Sequence, residues 1–168
     1  GDGRPATDAA LHTPRRICID ANDHLYITDG GNNRIRKINA KTNIITTIAG
    51  TGQDTARIAD GMLATQADIE DPRGIFIDQS GTLFFSEGRD LGRVVFKIDP
   101  KTQTLTRIGG TGSRFFNGDN QPATQATLYG IQSVFVDAKG DLYLSDRTNN
   151  RVRKIDAVGT PTTLKPGT

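Results

Sequence analysis

The chain has 168 residues, with 21 Lys and Arg against 19 Asp and Glu, for a formal net charge of +2. A balance this close, with the basic residues scattered rather than blocked, argues against nucleic acid or a membrane surface as partner. No apolar run approaches the length of a membrane span, and the single cysteine, Cys18, excludes an internal disulfide and any cysteine-rich metal cluster.

Taken in chain order, the elements form a pattern that returns twice. A segment of the form Asp-[Gly/Asn]-x-[Pro/Leu]-Ala-Thr-x-Ala-x-[Leu/Ile] opens each round, at residues 1–11, 60–69 and 119–128. Pro5 and Pro122 are placed to start a single helical turn there, with Ala6/Ala9 and Ala123/Ala126 on its inner face. Four strand-like runs follow: 16–20, 24–29, 34–39 and 44–49 in the first round, 74–78, 82–87, 93–99 and 104–109 in the second, and 133–137, 141–146, 151–156 and 160–164 in the third. The connections carry turn residues, such as Asn22-Asp23, Ser80-Gly81 and Lys139-Gly140. Asp20, Asp78 and Asp137 close the apolar triplets 17–19, 75–77 and 134–136, and the steps between them are 58 and 59 residues. A fixed period of this kind marks a repeat architecture.

The strands are short, rich in β-branched residues and bounded by Gly, which rules out a helical reading. In the first two runs of each repeat, apolar residues are consecutive, as in Leu25-Tyr26-Ile27, Leu83-Phe84-Phe85 and Leu142-Tyr143-Leu144. Consecutive apolar positions need cover on both faces of the sheet. The later runs are mixed, as in Ile35-Arg36-Lys37-Ile38. A sheet dry on both faces at one edge and wetter at the other is a radial blade. The fold class expected is therefore all-β: a β-propeller of four-stranded antiparallel blades, with blade 1 at about 1–58, blade 2 at about 59–117 and blade 3 at about 118–168.

The stretches 25–38 (Leu-Tyr-Ile-Thr-Asp-Gly-Gly-Asn-Asn-Arg-Ile-Arg-Lys-Ile) and 142–155 (Leu-Tyr-Leu-Ser-Asp-Arg-Thr-Asn-Asn-Arg-Val-Arg-Lys-Ile) resemble NHL repeats, as does the opening Gly-Asp-Gly-Arg-Pro-Ala-Thr and the closing Ala49-Gly50-Thr51-Gly52. The resemblance covers essentially the whole chain. It implies a propeller that is commonly six-bladed and serves mostly as an interaction platform, a minority of similar architectures being lyases and hydrolases. The second repeat departs from the pattern: Glu87-Gly88-Arg89-Asp90-Leu91-Gly92-Arg93 is longer than its counterparts and lacks the Asn-Asn pair.

Most recurring polar residues have a structural explanation. Asp20, Asp78 and Asp137 each precede a turn and are expected to accept from its amides. Asp29, Glu87 and Asp146 are expected to pair with an arginine of the next strand, Arg34 or Arg151. Asn32-Asn33 and Asn149-Asn150 suit a left-handed connection. The Asp-Gly segments lack the alternating carboxylates of a calcium loop. His12 and His24 do not recur, and no Ser-His-Asp arrangement is built on them. The expectation is a non-enzymatic scaffold with no cofactor and no metal; half or a fragment of a lyase- or lactonase-type propeller, with a channel site formed on assembly, is the alternative.

Three blades span half of a six-fold ring and leave two apolar faces bare, a patch that soluble monomers rarely expose. Both chain ends match the same long loop, so the blade number is an integer. The expected partner is therefore a second copy, which closes a six-bladed ring as a homodimer through candidate interface residues Ile17, Ile19, Leu25, Phe135, Leu142 and Leu144, the alternative being a fragment of a longer propeller. A protein partner is expected on the rim where the inter-blade loops emerge, since function concentrates in loops on a rigid scaffold. Residues there that break the repeat are the binding candidates: Glu87, Arg89, Asp90 and Arg93 in the enlarged loop, and Arg114, Phe115 and Phe116.

Overall fold

The computed structural model describes residues 1–55, 57–88, 93–156 and the short strand at 161–163. Each repeat folds into its own antiparallel sheet. The first contains β1 (Arg4–Pro5), β2 (Pro14–Ile19), β3 (Leu25–Asp29), β4 (Arg34–Ile38) and β5 (Ile44–Ala49), in the order β1-β5-β4-β3-β2. The second contains β6 (Ile75–Ile77), β7 (Leu83–Glu87), β8 (Val94–Ile98) and β9 (Leu105–Gly109), and the third β10 (Ile131–Val136), β11 (Leu142–Asp146), β12 (Arg151–Ile155) and β13 (Pro161–Thr163), both in sequential order. Sequential neighbours joined by tight turns are what the turn residues at 20–24, 78–82 and 137–141 dictate. The first sheet exceeds the expected four strands because β1 is added at its outer edge, pairing Pro5 with Ile44. In the second sheet the same edge contact shrinks to one bridge, Leu63 to Thr104.

That edge contact shows how neighbouring sheets are clipped together. The segments before the first and second sheets first pair with that sheet's outermost strand, the Gly3 amide donating to Ile45 O and the Gly61 amide to Leu105 O, both at 2.9 Å. It then makes one 3-10 turn, at Ala6–Asp8, Ala64–Gln66 and Ala123–Gln125. The second and third turns slot between sheets: the Gly50 amide of the first sheet donates to Ala64 O, and the Gly110 amide of the second to Ala123 O. Gly50 and Gly110 carry φ of 91° and 89°, and a Cβ on either would lie 2.2 or 2.1 Å from a backbone oxygen, so only glycine serves.

Two cores result, one at each contact between sheets. The first gathers Tyr26, Ile35, Ala64, Ala67, Ile69, Phe85 and Leu105, among others; the second gathers Val95, Ala123, Leu128, Ile131, Leu142 and Leu144. A buried hydroxyl bridges each contact. Thr28 Oγ1 donates to Arg73 O at 3.0 Å between the first and second sheets, and Ser86 Oγ donates to Ile131 O at 3.1 Å between the second and third. Both hydroxyls are fully buried, so the hydrogen bond also satisfies a group that could not otherwise be desolvated cheaply.

The turn aspartates act as caps. Asp20 Oδ1 accepts from the Asn22 and His24 amides, Asp78 Oδ1 from Ser80 and Thr82, and Asp137 Oδ1 from Lys139 and Asp141. His24 belongs to the same turn machinery, its Nδ1 accepting from the Ala40 amide. Asn33 and Asn150 hold φ of 52° and 53°, the left-handed conformation that the Asn pair was expected to supply.

Candidate functional site

The even-numbered connections of every sheet and the clips between sheets emerge on one rim, and the polar chemistry of the molecule gathers beneath it. In the first sheet Asp29 stands at the end of β3, completely buried. Its Oδ1 accepts from the His12 amide at 2.7 Å and its Oδ2 from Asn32 Nδ2 at 2.8 Å. The cation that answers it is Arg36, not Arg34: Arg36 Nη1 lies 3.4 Å from Asp29 Oδ2, and its Nη2 reaches Asp2 of the clip segment at 2.5 Å. The third sheet repeats this. Arg153, fully buried, sets Nη1 3.4 Å from Asp146 Oδ2 and Nη2 2.7 Å from Asp119 Oδ1. Each guanidinium is thus held between the carboxylate at the end of the second repeat strand and the carboxylate of the clip.

The expected pairing with Arg34 and Arg151 is therefore corrected by two residues. Those arginines sit directly across from the aspartates in register but turn to backbone oxygens instead. Arg34 Nη2 donates to Thr51 O at 2.6 Å, and Arg151 Nη1 donates to Asn149 O at 2.6 Å. The diagonal positions Arg36 and Arg153 lie deeper, where an unpaired carboxylate would be most costly.

The second sheet breaks the arrangement. Strand register sets Glu87 opposite Val94, so Phe96 holds the position of Arg36 and Arg153. The carboxylates remain. Glu87 Oε2 accepts from the Glu70 amide at 2.7 Å, as Asp29 does from His12 and Asp146 from Tyr129. Asp60 of the clip accepts from the Arg107 amide at 2.6 Å, as Asp2 accepts from its counterpart Thr47. With no guanidinium at this register position among the described residues, burial pushes the Glu87 carboxyl up to about 7; the Glu70 amide works against this and the Glu70 charge adds to it. A cavity of about 340 Å³ opens there, lined by Ile58, Asp60, Glu87, Val94, Phe96 and Arg107.

Of the rim candidates, Glu87 lines this cavity, and Arg89 and Asp90 lie outside the described residues. Arg93 Nη1 donates to Gly112 O at 3.4 Å and its guanidinium stands 5.6 Å from the Tyr129 ring centroid. Phe116 lies under Arg151, 3.9 Å from guanidinium carbon to ring centroid, so it caps the third sheet's arginine pair. Arg114 is exposed, and Phe115 more so, at 86%. Arg36, Arg153, Asp2, Asp60 and Asp119 were not singled out from sequence. The signal was there: aligned on strand register, one column reads Arg36, Phe96, Arg153 beside a column that is acidic throughout.

The interface candidates divide. Ile17 and Ile19 are 62% and 59% exposed, whereas their counterparts Ile75, Ile77, Val134 and Val136 are at most 9% exposed. Leu25 is half-buried and Phe135 exposed, its ring 5.0 Å from that of Phe76. Leu142 and Leu144 have to be withdrawn as assembly residues. They point toward the second sheet and are 4% and 1% exposed within the core they share with it. Successive residues of a strand face opposite ways, so a single strand cannot offer all its apolar residues to one neighbour.

Three packed antiparallel sheets related by a sequence repeat define a β-propeller type of fold, and solved propellers superpose on it. A catalytically inactive virginiamycin B lyase of Staphylococcus aureus matches with a TM-score of 0.57 at 16% identity, over 96% of this chain and 44% of the lyase. In sequence, the family model described as the teneurin NHL domain matches residues 1–57. Teneurin-3 of Danio rerio is 26% identical over 170 residues, covering 95% of this chain, and teneurin-1 of Gallus gallus is 33% identical over 110 residues, covering 57% of it. The chain spans 6% and 4% of the length of these two relatives. The likeness to NHL-repeat propellers thus rests on a family model over the first repeat and on relatives that extend across the chain.

Proposed function

We propose that the chain is a non-enzymatic propeller module acting as a protein-interaction scaffold, and that two copies close a six-bladed ring. The observation that carries this is the unequal fate of equivalent residues. Ile69 and Leu128 are fully buried between sheets, but their counterpart Leu11 is 37% exposed, alongside the exposed Ile17 and Ile19. This face of the first sheet has the composition of a contact between sheets and lacks only the neighbour. The far side of the third sheet is its complement. Val152 is 49% exposed there where Ile35 and Val95 are fully buried, and Ser145 holds the place of the bridging Thr28 and Ser86. A third sheet set against the first sheet of another copy reproduces both kinds of contact, and the two-fold ring closes.

The alternative, half of a lyase- or lactonase-type enzyme, has less in its favour. A cavity of about 480 Å³ where β6 and β10 meet is lined by Asp78 and Asp137. Both carboxylates are already committed to their own turn amides. The rim carrying Glu87, Arg89, Asp90, Arg93, Arg114, Phe115 and Phe116 is the proposed partner surface, with Phe115 its most exposed apolar group.

Sedimentation velocity from 1 to 100 μM (roughly the range over which a stable protein dimer reports its mass action) is the test. A dimer is expected, with a melting temperature that rises with concentration. Ile17→Glu, at a position already exposed within the chain, should leave a folded monomer. A wild-type monomer with an intact cooperative melt across this range overturns the assembly.

A further inference from the structure

We propose that the cavity between Glu87, Asp60 and Phe96 is a receptor for a guanidinium group carried on a short alkyl chain. The molecule supplies its own templates. In the first and third sheets a guanidinium lies between two carboxylates, one at the end of the second strand and one on the clip. The second sheet keeps both carboxylates in those places, each fixed by the backbone amide that fixes its counterpart. Among the described residues, no guanidinium stands between them: the register position of Arg36 and Arg153 is Phe96. Phe96 leaves the position open because its ring leans onto Phe85, with centroids 5.7 Å apart and planes 25° from parallel.

Two further observations make this more than a pair of acids. Glu87 is more than nine-tenths buried, and among the described residues only the Glu70 amide donates to its carboxylate. A buried carboxyl on a cavity wall that has a single amide donor among the described residues can accept further donors. The remaining walls, Ile58, Val94 and Phe96, are apolar, which suits the methylenes that carry a guanidinium. Arg107 also lines the cavity but is exposed, and among the described residues its guanidinium makes no ion pair with Glu87 or Asp60.

The ligand class follows from geometry. A planar fork with several donors can grip two carboxylates at once, as Arg36 and Arg153 do, whereas an ammonium is a point charge that satisfies one well. Two carboxylates against three apolar walls are poor in ligands for a divalent metal. The source of the guanidinium is either an arginine side chain of a partner protein or a free small alkylguanidine. Only the first alternative rests on the reading of the chain as an interaction module.

The test is an NMR titration of the whole chain, following the Glu87 carboxyl carbon with three probes: N-acetyl-arginine methylamide, ethylguanidinium and N-acetyl-lysine methylamide. Saturable binding of a guanidinium probe is expected, with the Glu87 midpoint moving down from its raised position and the lysine probe weaker by about tenfold or more. Glu70, Asp60 and Arg107 also face this site, so their shifts are followed alongside. Glu87→Gln, which keeps shape and removes the charge, should weaken binding about tenfold. The double variant Phe96→Arg with Arg107→Thr gives the second sheet the residue pair Arg36 and Thr47 of the first and should abolish binding. Should that variant not fold, Glu87→Gln decides alone. Saturation by the arginine derivative only assigns the site to a protein side chain; saturation by ethylguanidinium alone assigns it to a free small molecule. The absence of saturation by either, equal binding of the lysine probe, or binding unchanged in Glu87→Gln overturns the proposal. The sedimentation experiment is independent, so a monomer that still binds guanidinium removes the ring and leaves this site standing.

Discussion

The first and third sheets and the second solve the same backbone problem with opposite interiors. Where Arg36 and Arg153 stand between paired carboxylates, the second sheet places Phe96 against Phe85, at positions that are Ile27 and Leu144 on the sister sheets. The backbone does not register the change: β7 and β8 pair in the same register as β3–β4 and β11–β12. A repeat therefore fixes strands, turns and clips more tightly than it fixes the polar network they enclose. Replacing a whole buried ion network by apolar groups is often neutral or stabilising. The second sheet did not do that. Among the described residues it has Phe96 in place of the cation and keeps both carboxylates, and burial raises the Glu87 carboxyl.

The sharpest way to break the comparison is to remove the cation from a sister sheet. Arg153→Met takes the guanidinium away from Asp146, which is completely buried, and should cost about 3–5 kcal/mol in denaturant unfolding. Arg36→Met should cost less, because Asp2 is 49% exposed in its side chain and water can take over its solvation. Equal losses for the two would show that the clip carboxylate contributes nothing to the difference.

A smaller effect tests the second sheet through pH. The Glu87 carboxyl stands at about 7 in the folded chain against an ordinary 4.5, so between those values the folded state holds a proton that the unfolded state has released. The contribution of this group to stability is complete below about pH 4.5 and is lost as pH rises toward 7. The loss is on the order of 3 kcal/mol, and stability falls with pH across this window. Asp20 and Asp137 have lowered carboxyls, burial opposing the turn hydrogen bonds that win, so their effect has the opposite sign and lies at more acidic pH. Glu87→Gln should flatten the profile between pH 5 and 7 and make the chain more stable than wild type at pH 8. Unfolding free energies measured across pH 5–8 that do not slope in the wild type would remove Glu87 as a buried titrating group.

How much of this is legible in the sequence depends on how local the cause is. The turn caps are written two and four residues from their aspartates, and the left-handed Asn33 and Asn150 are signalled by residue type alone. The single turns with Ala64 and Ala123 on their buried face follow from a recurring Ala-Thr-x-Ala pattern. The arginine network resisted because its partners are 34 residues apart in the cases of Arg36 with Asp2 and Arg153 with Asp119, and only strand register brings them together. The enlarged loop misled in a second way. Residue type made Arg93 look like the counterpart of Arg34, whereas the two extra residues put Val94 there, and the column that reads Arg, Phe, Arg was hidden by that shift. Leu142 and Leu144 failed for a simpler reason: sequence shows that a strand is apolar on both faces but not which face a neighbour already covers.

The smallest expected effect returns to the loop that the second sheet lengthened. In the first and third sheets the turn into the third strand is closed by an Asn with φ near +50°, a conformation that costs an ordinary L-residue about 1–2 kcal/mol. Asn150→Gly should therefore be close to neutral, and Asn150→Ala should cost about 1 kcal/mol. Asn33 carries an additional duty, since its Oδ1 accepts from the Asp71 amide at 3.0 Å and so ties the first sheet to the approach of the second. Asn33→Gly should consequently cost about 1 kcal/mol where Asn150→Gly does not, the difference being that one hydrogen bond. Denaturation midpoints of the four variants, compared pairwise, separate the backbone term from the side-chain term; if the two glycine variants behave alike, the Asn33–Asp71 contact does not hold the first two sheets together.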